Sequence, residues 1–408
     1  MPERFISLAG IALIAVIAMA LSTNRRAISP RIVMSAFALQ AVTAVLVLYV
    51  PAGKAFIETL SQGVRALLGF SAAGIDMVFG PLADLDGQLS FAVHVLPIII
   101  FFASLMSVLY HLGVMQLVVR GVGAALRWLL GTQPVESLNA AANMFVGQTE
   151  APLVVRPYLG KLTQPQLFAV MVSGLASVAG TVLAAYAQMG IRLEYLLAAS
   201  FMAAPGGLLM AKLVMPDDPE TREELSGPPR LDHEAKDVNV ILAAANGARE
   251  GVRLAVNIGG MLVAFVSLIA LFNGLVGWLG GFFGAEDLTL ESILGAIFAP
   301  LMYLLSVPWA EADIAGALFG EKLILNEFVA YLHMTEMLDA MSPRTEAVVT
   351  FSLCGFANLS SIAILLGGLG SLVPEKRDLI AKYGLRAVAA ASLSNLMSAA
   401  LASLLLPV

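Results

Sequence analysis

Cysteine is all but missing from this chain. Cys354 is the one thiol in 408 residues, so neither an intrachain disulfide nor a Cys-rich metal site can form. Histidine is scarce as well, with four scattered residues and no HExxH pattern, which argues against a zinc enzyme. Charge is the scarcest commodity of all. Asp, Glu, Lys and Arg make up 13% of the chain and hydrophobic residues 59%, with a mean hydropathy of +0.86, whereas soluble domains carry about 25% charged residues. Composition therefore specifies a polytopic membrane protein. At about 20 residues per crossing, the length leaves room for on the order of eight to ten spans with short loops. The net charge of -6 says little about partners, because in membranes the placement of charge counts for more than its sum.

A secretory signal pattern is missing too. Only Arg4 precedes the apolar run at 5–22, and Arg25, Arg26 and Arg31 follow it, which is the reverse of a signal peptide's charge order. This run is expected to be a first spanning helix that starts outside. Further spans are expected at about 32–50, 90–110, 166–189, 194–214, 254–283, 345–372 and 384–406. The amphipathic stretches 54–86 and 112–130 are expected to be interfacial helices. The polar tract 216–237 reads as a solvated loop, followed by an amphipathic helix to about Arg253. With both termini outside, 17 of the 23 Lys and Arg residues fall on the inner side and 6 on the outer, in accord with the positive-inside rule.

Two regions do not fit simple spans. The first, 132–160, contains NAAANMFVGQTEAPLVVRPYL, with Gly147, Pro152 and Pro157 around Glu150. The second, about 287–333, is interrupted at Pro308–Asp313 and carries Asn326 and Glu327. Each is expected to be a re-entrant hairpin lining a cavity, the setting in which irregular backbone survives at membrane depth. Each precedes a span with polar residues at mid-depth, SGLASVAGTVL and CGFANLSSIAI. The order of Glu-bearing hairpin, interrupted helix and plain helix thus occurs twice, and the charge count turns the second copy upside down. Inverted repeats on discontinuous helices mark secondary transporters. The expected fold class is all-α and polytopic, with eight transmembrane helices and two re-entrant hairpins in an inverted repeat. Its parts are expected to be 1–130 (scaffold), 131–215 (first transport repeat), 216–285 (polar loop and scaffold span) and 286–408 (second transport repeat).

A carboxylate in hydrocarbon is costly and points to function. Gln148, Thr149 and Glu150 put amide, hydroxyl and carboxylate at one hairpin tip, a set suited to the edge of a polar, uncharged ring. The carboxylate of Glu327 could accept bidentately from vicinal hydroxyls, as holding a ribose requires; its structural alternative is a Glu at the water interface paired with Lys322. Asn358 and Ser361 are three apart and would share a helical face, while Ser360 points elsewhere. Asn143 and Ser177 are candidate oxygen ligands for a small hard cation, with unwound backbone at Val146 and Val178 adding carbonyls; taken by themselves, the two residues are better explained by helix packing. Glu311 and Asp313 read as a solvated turn. The two acidic residues, Glu150 and Glu327, are expected to meet at one water-lined pocket.

GQTEAPL (147–153), SVAG (177–180), PWAEADIAG (308–316), LNEFVAY (325–331) and CGFANLSS (354–361) strongly resemble the concentrative nucleoside transporter family in its bacterial form. The likeness runs in matching order from about residue 90 to the end. It implies a homotrimer of eight-span subunits, each with a scaffold and a transport domain that moves like an elevator, and it implies no organic cofactor and no nucleic-acid partner. By residue, it implies that Gln148 and Thr149 bond the nucleobase, with Glu150 nearby through water, and that Val182 and Phe356 pack around the base. Glu327, Asn358 and Ser361 would take the ribose hydroxyls, and Asn143, Ser177 and the carbonyls of Val146 and Val178 would form a Na+ site. The activity implied is secondary active import of a nucleoside such as uridine by sodium symport across the bacterial cytoplasmic membrane. The rivals are proton coupling and, from another class, an intramembrane enzyme using Glu150 and Glu327 as acid and base. For the enzyme the sequence supplies no metal-ligand cluster or Ser-His pair to activate a nucleophile.

Overall fold

The computed structural model describes residues 6–83, 90–217, 237–282, 284 and 288–406. Among them the secondary structure is helical and no strand occurs. Helices α1 (Ile6–Ala20), α2 (Pro30–Leu48), α3 (Pro51–Phe79), α4 (Leu96–His111) and α5 (Val114–Leu130) lead into a first hairpin. That hairpin consists of α6 (Pro134–Asn143), unwound chain, a tight 3-10 turn at Ala151–Val155 and the single turn α7 (Arg156–Leu159). An interrupted helix follows as α8 (Gln164–Ala176) and α9 (Gly180–Gln188), and α10 (Leu193–Val214) returns. After α11 (Val240–Gly281) the order recurs: α12 (Leu290–Leu304), α13 (Ala312–Ile324) and α14 (Glu327–Glu336), the interrupted α15 (Pro343–Leu353), α16 (Ser360–Gly367) and α17 (Leu369–Leu372), and finally α18 (Arg377–Leu405).

Local chemistry explains the starts of the half-helices. Gln133 and Glu136 form a capping box on α6, and Thr163 and Gln166 form another on α8. Pro occupies the first turn of both, where its missing N–H costs nothing. Asn326 caps α14, its Oδ1 accepting the Val329 amide at 2.9 Å. Among the described residues, seven helical stretches are long and apolar enough to cross a membrane. Four of these lie at the periphery, where only 17–28% of the most apolar window is buried, and three are central: Gln164–Gln188 at 89%, Leu193–Val214 at 94% and Pro374–Leu405 at 83%. A helix apolar on all sides and covered on all sides belongs in the middle of a bundle. The first hairpin is set against protein, every residue of α6 being buried.

The structure redraws several expected boundaries. The expected span at 345–372 is broken between Leu353 and Ser360. The amphipathic helix and the span after the polar tract are one continuous helix, α11, of 42 residues. Most of the tract itself, 218–236, lies outside the described residues. The second irregular region contains two reversals, not one. At the first, around Ser306 (φ 65°), α12 turns back onto α13; Gly295 and Gly316 let their backbones touch, since a Cβ on Gly316 would lie 2.8 Å from the Ala299 nitrogen. Glu311 at this turn accepts the amide and hydroxyl of Ser342, both at 2.9 Å. The second reversal, Leu325–Asn326, carries the polar tip.

One side chain joins the two interrupted helices. Asn395 of α18 donates through Nδ2 to the Ala176 carbonyl (2.8 Å) at the end of α8, and to the Cys354 carbonyl (2.9 Å) just past α15. Its Oδ1 accepts from Lys322 Nζ at 2.8 Å, and that ammonium also donates to the Ser352 carbonyl at 2.7 Å. Helix C-termini leave carbonyls without intrahelical partners and carry partial negative charge, so an amide and an ammonium are the matching groups. The approach is so close that a Cβ on Gly355 would lie 2.5 Å from Asn395 Oδ1. Only glycine fits there. A second buried cluster braces the base of hairpin 1, where Lys212 Nζ lies 2.6 Å from both Glu136 Oε1 and Asp217 Oδ1.

Two variants test these braces. Asn395→Leu orphans two carbonyls and strips Lys322 of one acceptor, so it is expected to destabilise the protein by roughly 3 kcal/mol. A thermal melt in detergent matching the wild type would refute the shared-anchor role. Lys212→Met strands the buried Glu136 and should cost roughly 3–5 kcal/mol, whereas the double variant Lys212→Met, Glu136→Leu should recover much of that loss in the same melt.

Candidate functional site

The breaks in hairpins and interrupted helices converge. The Phe356 amide, between α15 and α16, donates to the Ser177 carbonyl (3.2 Å), between α8 and α9. The Gly180 amide donates to the Phe145 carbonyl (3.0 Å) in the unwound part of hairpin 1. Three irregular segments therefore satisfy part of each other's backbone, as is required away from water.

Glu327 is the first residue of α14 and is 4% exposed. Its Oε1 accepts the Tyr186 hydroxyl at 2.9 Å and its Oε2 accepts Asn358 Nδ2 at 3.1 Å. The positive end of the α14 dipole faces this carboxylate. Lys322 is not its ion-pair partner at a water interface, because that ammonium is buried and committed to Ser352 and Asn395. Asn358 does more than share a face with Ser361. It lies just before α16 and its Oδ1 accepts both the Ser361 amide (2.9 Å) and the Ser360 hydroxyl (2.7 Å), so Ser360 belongs to the network. Ser361 is 1% exposed and its Oγ accepts from Gln148 Nε2 at 3.5 Å. A chain of contacts thus runs from hairpin 1 (Gln148) through α16 (Ser361, Asn358) to hairpin 2 (Glu327).

Gln148 is buried and its Oε1 has no partner, an acceptor aimed into the convergence and available to a ligand. Thr149 is half-buried, and its methyl lies 2.7 Å from where a Cβ on Gly368 would be. Val182 is buried on α9 and Phe356 is half-buried beside the break. Glu150 departs from the expected picture. Its side chain is exposed in the protomer and folds back over Gly147, where a Cβ would meet Oε2 at 2.5 Å. It faces the amides of Gly147 and Glu150 and the Thr149 hydroxyl, with Tyr110 of α4 and Glu250 of α11 as electrostatic neighbours. Among the described residues no hydrogen bond links it to Glu327; the bridge between the hairpins is Gln148.

The neutral oxygens gather on the other side of the hairpin 1 tip. Asn143 ends α6, donates through Nδ2 to the Asn139 carbonyl (3.0 Å), and leaves Oδ1 buried without a partner. That oxygen is 3.7 Å from where a Cβ on Gly174 would stand, in the last turn of α8. Ser177 donates its hydroxyl to the Ser173 carbonyl at 3.1 Å, which leaves its own lone pairs free to accept. Among the described residues no backbone amide donates to the carbonyls of Val146 or Val178. An orphaned amide oxygen beside open carbonyls, at the negative ends of α6 and α8, is a donor set that fits a small hard cation.

Tyr186, Ser360 and Asn395 escaped the sequence reading. Tyr186 did carry a signal: a hydroxyl four residues beyond Val182 on an apolar helix must find a partner once buried. Asn395 gave none, since Asn in a membrane helix is commonly packing.

Comparison with known proteins agrees with this geometry. Family models described as Na+ dependent nucleoside transporter N-terminus and C-terminus match residues 9–82 and 195–403, and a nucleoside recognition (Gate) model matches 92–192. The chain is 52% identical to an uncharacterized transporter of Haemophilus influenzae over 98% of this chain and 97% of that one. It is 48% identical to the nucleoside permease NupC of Helicobacter pylori, with the same coverage. It is also 39% identical to the sodium/nucleoside cotransporter 1 of Oryctolagus cuniculus, over 99% of this chain and 63% of the rabbit protein. The solved structure of CNTnw in an inward-facing substrate-bound state superposes with a TM-score of 0.93 at 49% identity, covering 99% of this chain and 98% of that one. With the two hairpins meeting at interrupted helices and the family models spanning most of its length, the chain belongs to the concentrative nucleoside transporter family, membrane carriers and not enzymes.

Proposed function

We propose that this protein imports nucleosides of the uridine type into a bacterial cell across the cytoplasmic (inner) membrane, by sodium symport with elevator-type alternating access. The observation that carries the reading is the chain Gln148–Ser361–Asn358–Glu327, which joins both hairpins at a buried carboxylate. A carboxylate has about four lone-pair positions on its two oxygens. Tyr186 and Asn358 each donate to one oxygen, and the residue's own backbone amide also faces the carboxylate, which leaves acceptor capacity for a ligand hydroxyl. The free Oε1 of Gln148, with Thr149, then meets the base edge, with Val182 and Phe356 against its faces and Glu150 at the rim, acting through water.

Asn143, Ser177 and the carbonyls of Val146 and Val178 would hold Na+, which supplies positive charge at the converging negative ends of α6 and α8. The name of the rabbit relative, a sodium/nucleoside cotransporter, supports sodium over protons. By linkage, whatever tightens one ligand when the other binds acts equally in both directions. The moving body would comprise 131–215 and 286–408, carried on a scaffold of 1–130 and the α11 region within 216–285. The scaffold would make the contacts of a homotrimer, with both chain ends outside.

Glu327→Gln is expected to lower uridine uptake by roughly 100-fold or more, because two hydrogen bonds to a charged group are weakened together. Wild-type uptake by that variant, at equal amounts in proteoliposomes, would remove Glu327 from the site. For the ion, uptake by the wild type should require a sodium gradient, and Ser177→Ala should raise the sodium concentration for half-maximal uptake by about tenfold. Full uptake without sodium and driven by low external pH would point to protons instead.

A further inference from the structure

We propose that Tyr186 is a positioning residue for the ribose subsite: its hydroxyl fixes which lone pairs of Glu327 face the nucleoside, and so sets discrimination for ribose hydroxyls. This rests on the assignment of Glu327 to the ribose under the proposed function.

Tyr186 lies on α9 one helical turn beyond Val182, so both side chains project from the same face. It is fully buried, and its hydroxyl donates to Glu327 Oε1 at 2.9 Å. The ring has little freedom. Phe328, next to Glu327 in the chain, packs on it at 5.1 Å between centroids, and Tyr331, one turn further along α14, at 4.5 Å. Tyr331 is pinned in turn by its hydroxyl on the Thr350 carbonyl at 2.8 Å. Phe91 closes on Phe328 from the side at 5.4 Å. A phenol held this firmly presents its proton at one point in space.

A carboxylate at the end of a three-bond side chain rotates readily about its last torsion. Asn358 fixes Oε2, and the residue's own backbone amide adds a hold on the group. The Tyr186 hydroxyl fixes Oε1 and so sets the plane of the carboxylate. Tyr186 belongs to the first interrupted helix and Glu327 to the second hairpin, so the bond also ties the ribose subsite to the helix that carries Val182. Preorganisation of this kind raises affinity without adding a contact to the ligand, and a site built on hydroxyls strongly rejects analogues that lack them.

The test is Tyr186→Phe, which keeps the ring and deletes the donor, measured for uridine and for 2′,3′-dideoxyuridine in proteoliposomes at saturating sodium. The KM for uridine is expected to rise about tenfold, the worth of one hydrogen bond to a charged group, with the maximal rate nearly unchanged. The KM for the dideoxy analogue should stay within about twofold, so the discrimination between the two falls. Equal losses for both nucleosides, or a fall in maximal rate alone, would mean that Tyr186 only packs, and would overturn the inference. Tyr331→Phe, which removes a hydroxyl from the same aromatic cluster but not from Glu327, should leave discrimination intact. Glu327→Gln separates the two levels: discrimination lost there but kept in Tyr186→Phe sinks the positioning role alone, whereas discrimination kept in both sinks the ribose assignment itself. If Tyr186→Phe does not accumulate in the membrane, Tyr186→Met, which also lacks the donor, carries the test by the same readout: a fall in discrimination supports the inference, and discrimination close to wild type at normal protein levels overturns it.

Discussion

A broken helix inside a membrane has to answer for the carbonyls and amides it exposes, and in this protein the answer is shared. Asn395 serves the C-terminal ends of α8 and α15 with one amide group, so neither break can be repositioned without the other. The remaining bonds at the centre, from Phe356 to Ser177 and from Gly180 to Phe145, extend the same economy to hairpin 1. Unsatisfied polar groups here would cost several kcal/mol each in hydrocarbon. The breaks are therefore held as one unit, and the acceptors left without a donor, Gln148 Oε1 and Asn143 Oδ1, lie on hairpin 1.

Chemistry at the site follows from helix polarity. The C-terminal ends of α6 and α8 present oxygens, and it is beside them that Asn143 Oδ1 is left without a donor. The N-terminal ends of α14 and α16 present amides, and there the acidic and acceptor groups of Glu327 and Asn358 are found. Half-helices let both polarities reach mid-depth, which an unbroken span cannot do.

Much of this was legible in the sequence, for reasons that can be named. Low charge and long apolar runs located the spans, and the two carboxylates, with Gly147, Pro152 and Pro308 nearby, located the interruptions. The motifs placed Gln148, Glu327, Asn358 and Ser361, and these the structure brings into one chain of contacts. The role of Glu150 was not legible, because a Glu two residues from Gln148 can turn into the convergence or back over Gly147, and only the local fold decides. The second reversal at Leu325–Asn326 was hidden because Pro308 is the louder signal for a turn. The role of Lys322 was not legible, since its acceptors, the Ser352 carbonyl and Asn395 Oδ1, lie 30 and 73 residues away in the chain.

Lys322 has a meaning for how the two halves differ. Its ammonium sits at the negative end of α15, and being covalently part of the chain it cannot dissociate. The second half therefore carries the donor to its exposed carbonyl as part of its own chain. At α8 the corresponding end meets the Asn395 side-chain amide and the Phe356 backbone amide, with no cationic side chain among these donors. Of the two halves, then, the second meets its exposed carbonyl with a lysine of its own, and the first relies on amides lent by the second.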